Sequence, residues 1–138
     1  MIKKLNKTSE KLLNYLWNEA EKNDGYFKLE NNNTFMPLVV ELIGYNQISL
    51  AHYGEENGDL MRDPEIVFYK KDSCFFPVFI QNDYVGSYHV AMEYVEEQGF
   101  KIVNLAEYYD IIGFFNTLWS KNIIYQQEVK FKKVRKTA

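Results

Sequence analysis

Cysteine is nearly missing from this 138-residue chain, which contains only Cys74. A single thiol excludes an intramolecular disulfide and is typical of proteins in a reducing compartment. Long apolar runs are missing as well, since no stretch approaches the ~20 apolar residues that cross a bilayer. Lys7 and Glu10 interrupt the region that a signal peptide would keep apolar. We therefore expect a soluble, cytoplasmic protein that contacts no membrane.

The sequence also lacks the short motifs that identify common catalytic and metal sites. It contains no HExxH, no pair of CxxC motifs, no Walker lysine motif, no GxSxG and no twelve-residue calcium loop. From motifs alone, no catalytic residue, metal site or cofactor is predicted.

An excess of positive charge is absent too. The 16 Lys and Arg residues against 19 Asp and Glu give a net charge of −3 and a pI near 5.4, which argues against a general nucleic-acid coat. Basic residues crowd the stretch 129–138, which we predict to be a flexible tail after a single domain at residues 1–128. A phosphate-binding arm is the alternative interpretation of this tail.

Aromatic residues are abundant: 11 Tyr, 10 Phe and 2 Trp make up 17% of the chain. A first helix is predicted from Thr8 or Ser9, as N-cap, to about residues 23–25, with an apolar stripe at helical spacing. A last helix is predicted after Asn104, which forms a capping-box pattern with Glu107. Its apolar face is expected to contain Leu105, Tyr108, Ile111, Ile112, Phe115, Leu118 and Trp119.

The sequence between these helices predicts β-strands. Strand patterns are found at residues 26–30, 36–43, 47–53, 66–69, 75–81, 87–94 and 100–103. Pro77 within one of them indicates an edge strand or a bulge. The sequence therefore predicts an α+β fold, with an antiparallel meandering sheet of about five to six strands bracketed by an N-terminal and a C-terminal helix.

The densest polar cluster lies in residues 52–65, which join two predicted strands. Its candidate partner-binding or loop-organising residues are His52, Glu55, Glu56, Asn57, Asp59, Arg62, Asp63 and Glu65. Asn57 with Gly58 is a turn signal, and Asp63 before a proline is held extended, where its carboxylate accepts N–H groups. These features favour a structural role in the turn. A partner-binding surface is one alternative, and metal binding or acid–base chemistry by His52 with the carboxylates is another. The other histidine, His89, is interpreted as a structural strand residue.

The aromatic residues suggest a second candidate site. Tyr69, Tyr84 and Tyr88, together with Phe75 and Phe76, would form a stacking face for unpaired bases if they lie on one side of the sheet. Such faces are normally interleaved with Lys and Arg, whereas only Lys70 and Lys71 are near in sequence, in a predicted turn.

Three stretches carry a resemblance to a known family. Residues 48–53 form an aliphatic strand ending in His-Tyr, residues 57–61 read Asn-Gly-Asp-Leu-Met, and residues 63–68 begin Asp-Pro-Glu. Phe76-Pro77, residues 81–86 and the last helix with Trp119, Asn122 and Gln126 extend the similarity. Over roughly residues 35–126 the chain resembles an uncharacterised bacterial family, a domain of unknown function found in plasmids, integrative elements and phages. The resemblance implies an accessory protein of a mobile genetic element and brings no catalytic residues.

Small acidic proteins from such elements include inhibitors of host defence of the anti-CRISPR type. We therefore expect a non-catalytic binding protein with a protein partner, such as a nucleic-acid-processing host defence complex whose nuclease it inhibits. One alternative is a metal-dependent hydrolase or nuclease that uses His52, Asp59, Asp63 and Glu65. The other is a single-stranded nucleic-acid module that uses the aromatic face and the basic tail.

Overall fold

The computed structural model describes residues 3–31 and 35–131. Its first element is helix α1, Lys7–Lys22, which buries one apolar stripe against the sheet. Asn6 is the N-cap, because its side-chain oxygen accepts a hydrogen bond from the Ser9 backbone N–H at 2.8 Å. The predicted cap at Thr8 or Ser9 is therefore wrong. Ser9 is fully buried and its hydroxyl donates to Asn116 Oδ1 at 2.9 Å.

Six strands form one antiparallel sheet in which each strand pairs with its neighbours in sequence. They are β1 Tyr26–Leu29, β2 Leu38–Ile43, β3 Gln47–Glu56, β4 Asp59–Lys71, β5 Cys74–Asn82 and β6 Ser87–Val90. The pairing shifts by one residue in β5, where Val67 lies opposite Phe79 but Phe68 lies opposite Pro77. The bulge that Pro77 indicated is confirmed.

The hydrophobic core lies between one face of this sheet and the helices. Ile48 and Leu50 of β3 and Phe68 of β4 are fully buried on that face. They pack with residues of α1 and of the C-terminal helices, among them Leu12, Leu13, Leu16, Ile111, Ile112 and Phe115. Because side chains alternate along a strand, Ser49, Ala51 and Tyr53 lie on the opposite side, which we call the outer face.

The chain leaves the large sheet at Ala91. Its N–H donates to Val78 O at 2.7 Å, and its carbonyl accepts from Val103 N at 2.9 Å. This position splits the predicted strand 87–94 into β6 and a separate strand, β7 Met92–Val95. Strand β7 pairs with β8, Gly99–Ile102, in a two-stranded sheet.

The C-terminal helical region consists of α2 Leu105–Phe114, a π-helical turn Phe115–Trp119 and α3 Ser120–Gln126. The wide turn is defined by the Ser120 N–H, which bonds to Phe115 O. Buried residues follow at every fourth position: Ile111, Phe115, Trp119 and Ile123, and beside them Ile112, Asn116 and Ser120. Two residues of the predicted apolar face, Leu105 and Leu118, are instead half-exposed. Leu118 lies within the π turn, which departs from the regular α-helical spacing that the prediction assumed, whereas Leu105 is the first residue of α2.

The α+β prediction is confirmed, since an N-terminal and a C-terminal helical segment bracket a six-stranded antiparallel meander. Within the described residues, no helix combines the length and apolarity that crossing a membrane requires. Of the predicted tail at 129–138, residues 132–138 lie outside the described part. Val129 and Phe131 pack against the core.

Candidate functional site

The polar segment 52–65 was predicted as a loop, and the structure corrects this. Strands β3 and β4 continue to pair as far as Glu56 opposite Asp59, with Asn57 and Gly58 as a two-residue turn. Both turn residues have positive φ, 54° and 87°, as the tightest hairpin turns require. Apolar alternation could not reveal these strand ends, because most of their side chains face water rather than the core.

This hairpin end extends past the rest of the sheet. Pairing between β2 and β3 stops at Leu38 opposite His52, and pairing between β4 and β5 stops at Glu65 opposite Gln81. Residues 53–62 are therefore a two-stranded projection, which we call the hairpin arm. At its tip Glu55, Glu56 and Asp59 are exposed, and Leu60, which lies opposite Glu55 in the register, is 72% exposed.

An ion pair holds the base of the arm. The Arg62 Nε–H donates to Asp83 Oδ2 at 2.9 Å, and the Arg62 backbone N–H donates to the same oxygen at 2.8 Å. These hydrogen bonds lower the pKa of Asp83 and raise the pKa of Arg62. In return the Asp83 N–H donates to Arg62 O at 2.8 Å. Arg62 is thus committed to orienting the arm relative to the end of β5.

Two of the predicted carboxylates of this segment, Asp63 and Glu65, accept hydrogen bonds from neighbouring strands. Glu65 Oε2 accepts from the Ser49 hydroxyl at 2.6 Å on the outer face. Asp63 Oδ1 accepts from the Asn82 side-chain amide at 3.0 Å, within a bulge that places Asp63 and Pro64 opposite His52. In the structure Asp63 and Glu65 tie β4 to its neighbours, as a loop-organising role requires.

His52 lies on the helix-facing side of β3, opposite to the side that carries Ser49 and Glu65. It is 8% exposed, its Nδ1 is 3.1 Å from Pro37 O, and its ring centroid is 5.5 Å from that of Trp119. Burial lowers its pKa, so the neutral ring, with Nδ1–H donating to the carbonyl, is favoured. The metal-dependent alternative requires His52 beside Asp59, Asp63 and Glu65. In residues 3–31 and 35–131, no three His, Cys, Asp or Glu side chains are grouped closely enough to hold a metal ion.

The three predicted surface tyrosines do not contact one another and have different neighbours. Tyr84 lies over the arm base, where the space above Gly54 is filled by its hydroxyl. Tyr88 packs edge-on against Phe79 at a centroid distance of 5.3 Å, and Tyr69 contacts Phe100 at 4.4 Å. The structure distributes these tyrosines among three neighbourhoods.

His89 occupies a more accessible position than His52. Its Nδ1 is 3.3 Å from Glu107 Oε2, and its side chain is 49% exposed. The pair joins β6 to the first turn of α2.

Sequence reasoning missed a cleft of about 400 Å³ beside the arm, which we call the arm cleft. Tyr26 and Lys28 of β1, Glu41 of β2, Tyr53 of β3 and Leu60 of the arm line it. Burial raises the pKa of Tyr53, so its hydroxyl keeps its proton and remains a hydrogen-bond donor. Tyr26 and Lys28 occupy alternate positions of a predicted strand, so the sequence indicates that they share one face. It does not show that this face lies beside the arm.

Comparisons with known proteins address the family and leave the function open. No curated protein matches the chain, and no solved structure matches it. One family model matches residues 7–129, from the start of α1 to the last residues before the basic stretch. The chain therefore belongs to the family described as Domain of unknown function (DUF6908).

Proposed function

We propose that this chain is a non-catalytic binding protein whose hairpin arm docks on a basic surface of a macromolecular partner. The observation that carries the proposal is the projection of residues 53–62 past the sheet, with Glu55, Glu56, Asp59 and Leu60 exposed at its tip. A projecting hairpin places these groups where a partner surface can reach them.

The charges at the tip are arranged at a cost to the protein itself. Glu56 lies directly opposite Asp59 in the pairing register, and like charges in that position are destabilising. Within the described residues none of the three tip carboxylates has a Lys or Arg nitrogen within 4.0 Å. A cationic partner would remove this repulsion and gain complementarity.

Charge alone does not make a tight complex, because exposed ion pairs contribute only about 0–1 kcal/mol each. Apolar contact must supply the rest. Leu60 at 72% exposure and Tyr26 at 48% flank the arm cleft. Tyrosine is among the residues that most often anchor protein interfaces, and Leu60 adds apolar area that a partner can bury. The carboxylates then steer the encounter and fix its orientation.

We propose further that the partner is a nuclease of a host defence system and that the protein belongs to a mobile genetic element. A nuclease binds nucleic acid in a groove rich in Lys and Arg, which is the surface that an acidic projection complements. The motifs of residues 48–68 and their resemblance to a family of mobile elements support this choice of partner.

The test is a charge reversal at the tip, Glu55→Lys with Glu56→Lys and Asp59→Lys. The matched control reverses three exposed carboxylates outside both the arm and the β7–β8 hairpin, Glu21, Glu30 and Asp110, so that both variants change the net charge equally. Each is assayed for inhibition of purified CRISPR effector complexes and restriction nucleases, and for direct binding by calorimetry.

We expect the wild type and the control to bind and inhibit one nuclease, and the tip variant to lose at least about tenfold in affinity. Equal binding by the tip variant, with an unchanged melting temperature, would disprove the role of the arm. Failure of the wild type to bind or inhibit any tested effector would contradict the choice of a defence nuclease.

A further inference from the structure

A second cleft, of about 410 Å³, lies at the opposite end of β4. It is bounded by Tyr69 and Lys71 of β4, Phe76 of β5, and Gln98, Phe100 and Lys101 of the β7–β8 hairpin. We call it the β8 cleft. We propose that the β8 cleft binds single-stranded nucleic acid, by stacking bases on its aromatic rings and pairing phosphates with its two lysines. The proposal is independent of the arm and its partner.

The rings form a continuous series. Tyr69 contacts Phe100 with centroids 4.4 Å apart, Phe100 contacts Tyr94 at 5.5 Å, and Tyr94 stacks on Tyr45 at 5.1 Å with the planes 25° apart. The series begins in the cleft, with Tyr69 and Phe100, and ends outside it, with Tyr94 and Tyr45. Tyr94 is 49% exposed and Tyr45 is 71% exposed. Because these rings already contact one another, bases can stack only on the exposed faces that remain, chiefly those of Tyr45 and Tyr94. Two such rings beside the cleft favour a strand over a single nucleotide.

The lysines supply charge of the required sign. Lys71 and Lys101 are exposed on opposite walls of the cleft. Among residues 3–31 and 35–131, neither has a carboxylate oxygen within 4.0 Å, although Glu93 lies opposite Lys101 in the strand register. Their ammonium groups are available to phosphate oxygens, and such contacts dominate affinity for nucleic acid.

The strand itself adds hydrogen-bonding groups. All four residues of β8 line the cleft, and in the described part of the chain β8 pairs with β7 alone. One edge of β8 therefore carries backbone N–H and C=O groups that no strand uses. These groups and the Gln98 amide can meet the edges of a base that is stacked on Phe100.

The charge of the whole protein limits what this site can be. With a net charge of −3, the chain does not attract nucleic acid over its entire surface. The contact is instead local and short, and two lysines predict a shallow dependence of affinity on salt concentration.

The experiment measures the binding of a fluorescein-labelled ten-nucleotide oligo-dA by anisotropy, with unlabelled AMP as a competitor. The variants are Lys71→Glu with Lys101→Glu, and Phe100→Leu, which keeps an apolar side chain and removes the aromatic face. Lys7→Glu with Lys121→Glu changes the net charge equally at exposed positions outside the cleft. Circular dichroism confirms that each variant is folded.

We expect the cleft lysine variant to weaken oligo-dA binding by about tenfold or more and to reduce the salt slope by about 2. Phe100→Leu should weaken it by about fivefold, and Lys7→Glu with Lys121→Glu should leave it within about twofold. Absence of wild-type binding at protein concentrations up to roughly 0.1 mM would overturn the proposal. So would equal losses in both lysine variants, since this would indicate non-specific attraction. Competition by AMP at the same concentration as oligo-dA would overturn the assignment to a strand.

Discussion

The two ends of β4 are organised by different forces. The strand runs from Asp59 to Lys71, 13 residues, so its ends lie about 40 Å apart. At the arm end, hydrogen bonds and an ion pair position exposed carboxylates. At the β8 cleft, ring contacts of 4.4–5.5 Å link the β7–β8 hairpin to Tyr69 of β4 and to Tyr45. The strand thus has one polar, acidic end and one aromatic end, and changes in solvent or sequence should affect them separately.

The largest effect on stability should come from a substitution in the core beneath β4, which supports both ends of the strand. Phe68 lies between them on β4, is fully buried, and contacts Phe115 at a centroid distance of 4.9 Å. Phe68→Ala should lower the free energy of unfolding by about 3–5 kcal/mol, whereas Phe68→Leu should cost less than about 1.5 kcal/mol. Urea denaturation measures both. Hydrogen exchange should show arm and cleft losing protection together, and loss at only one end would show that β4 does not couple them.

Low pH should destabilise the protein near the arm, through His52. The pKa of His52 is lowered by burial, so in the pH range below about 6.5 the unfolded chain binds a proton that the folded protein resists. The contribution of His52 to stability is complete above this range and decreases as the pH falls through it. His52→Gln keeps a group that can hydrogen-bond to Pro37 O and does not titrate. Urea midpoints between pH 8 and pH 5 should therefore fall less in this variant than in the wild type, and parallel curves would contradict the assignment.

A substitution at the base of the arm should have a more local effect than the two core substitutions. Asp83→Ala removes the carboxylate that accepts hydrogen bonds from three N–H groups of Arg62. Amide protons of residues 53–62 should then exchange faster, while those of β8 keep their wild-type rates, because no contact of Asp83 reaches the cleft. Exchange followed by NMR distinguishes the two regions. A matched increase in β8 would show that Asp83 stabilises the whole sheet rather than the arm.

The smallest effect is expected at Gly54. A Cβ at this position would overlap the Tyr84 hydroxyl, but Tyr84 is 43% exposed and has room to rotate away. Gly54→Ala should therefore change stability by less than about 1 kcal/mol and displace the Tyr84 ring. Changed NMR shifts for the Tyr84 ring with unchanged shifts for Tyr69 would confirm it. An unmoved Tyr84 ring would contradict the contact.

The fold was predictable wherever buried residues recur at regular spacing in the sequence. Leu12, Leu13 and Leu16 face the core at helical spacing, and Ile48 and Leu50 do so at strand spacing, so both elements were found. The N-cap was misplaced because Thr8, Ser9 and Asn6 are all good capping residues. The choice of the capping residue depends on Asn116, which lies 110 residues further along the chain. The Asn116 side chain accepts a hydrogen bond from the Asn6 N–H.

The candidate sites were less accessible to sequence reasoning. The polar residues of segment 52–65 were identified, but that His52 and Glu65 face opposite sides of the sheet follows from strand pairing and a bulge. Tyr69 was identified as a stacking residue, yet its contact Phe100 comes from a hairpin that follows a break at Ala91. Contacts between distant segments decide such neighbourhoods, and local patterns do not encode them.

The π-helical turn at Phe115–Trp119 has a consequence for comparing members of this family. The turn holds one residue more than an α-helical turn needs, so it acts as a one-residue insertion that the surrounding fold has absorbed. A relative one residue shorter there would form a regular helix, and its residues equivalent to 120–126 would be rotated by about 100° unless the apolar pattern moved with them. Alignments of this family should therefore allow a single-residue gap inside the helix, where gaps are normally penalised.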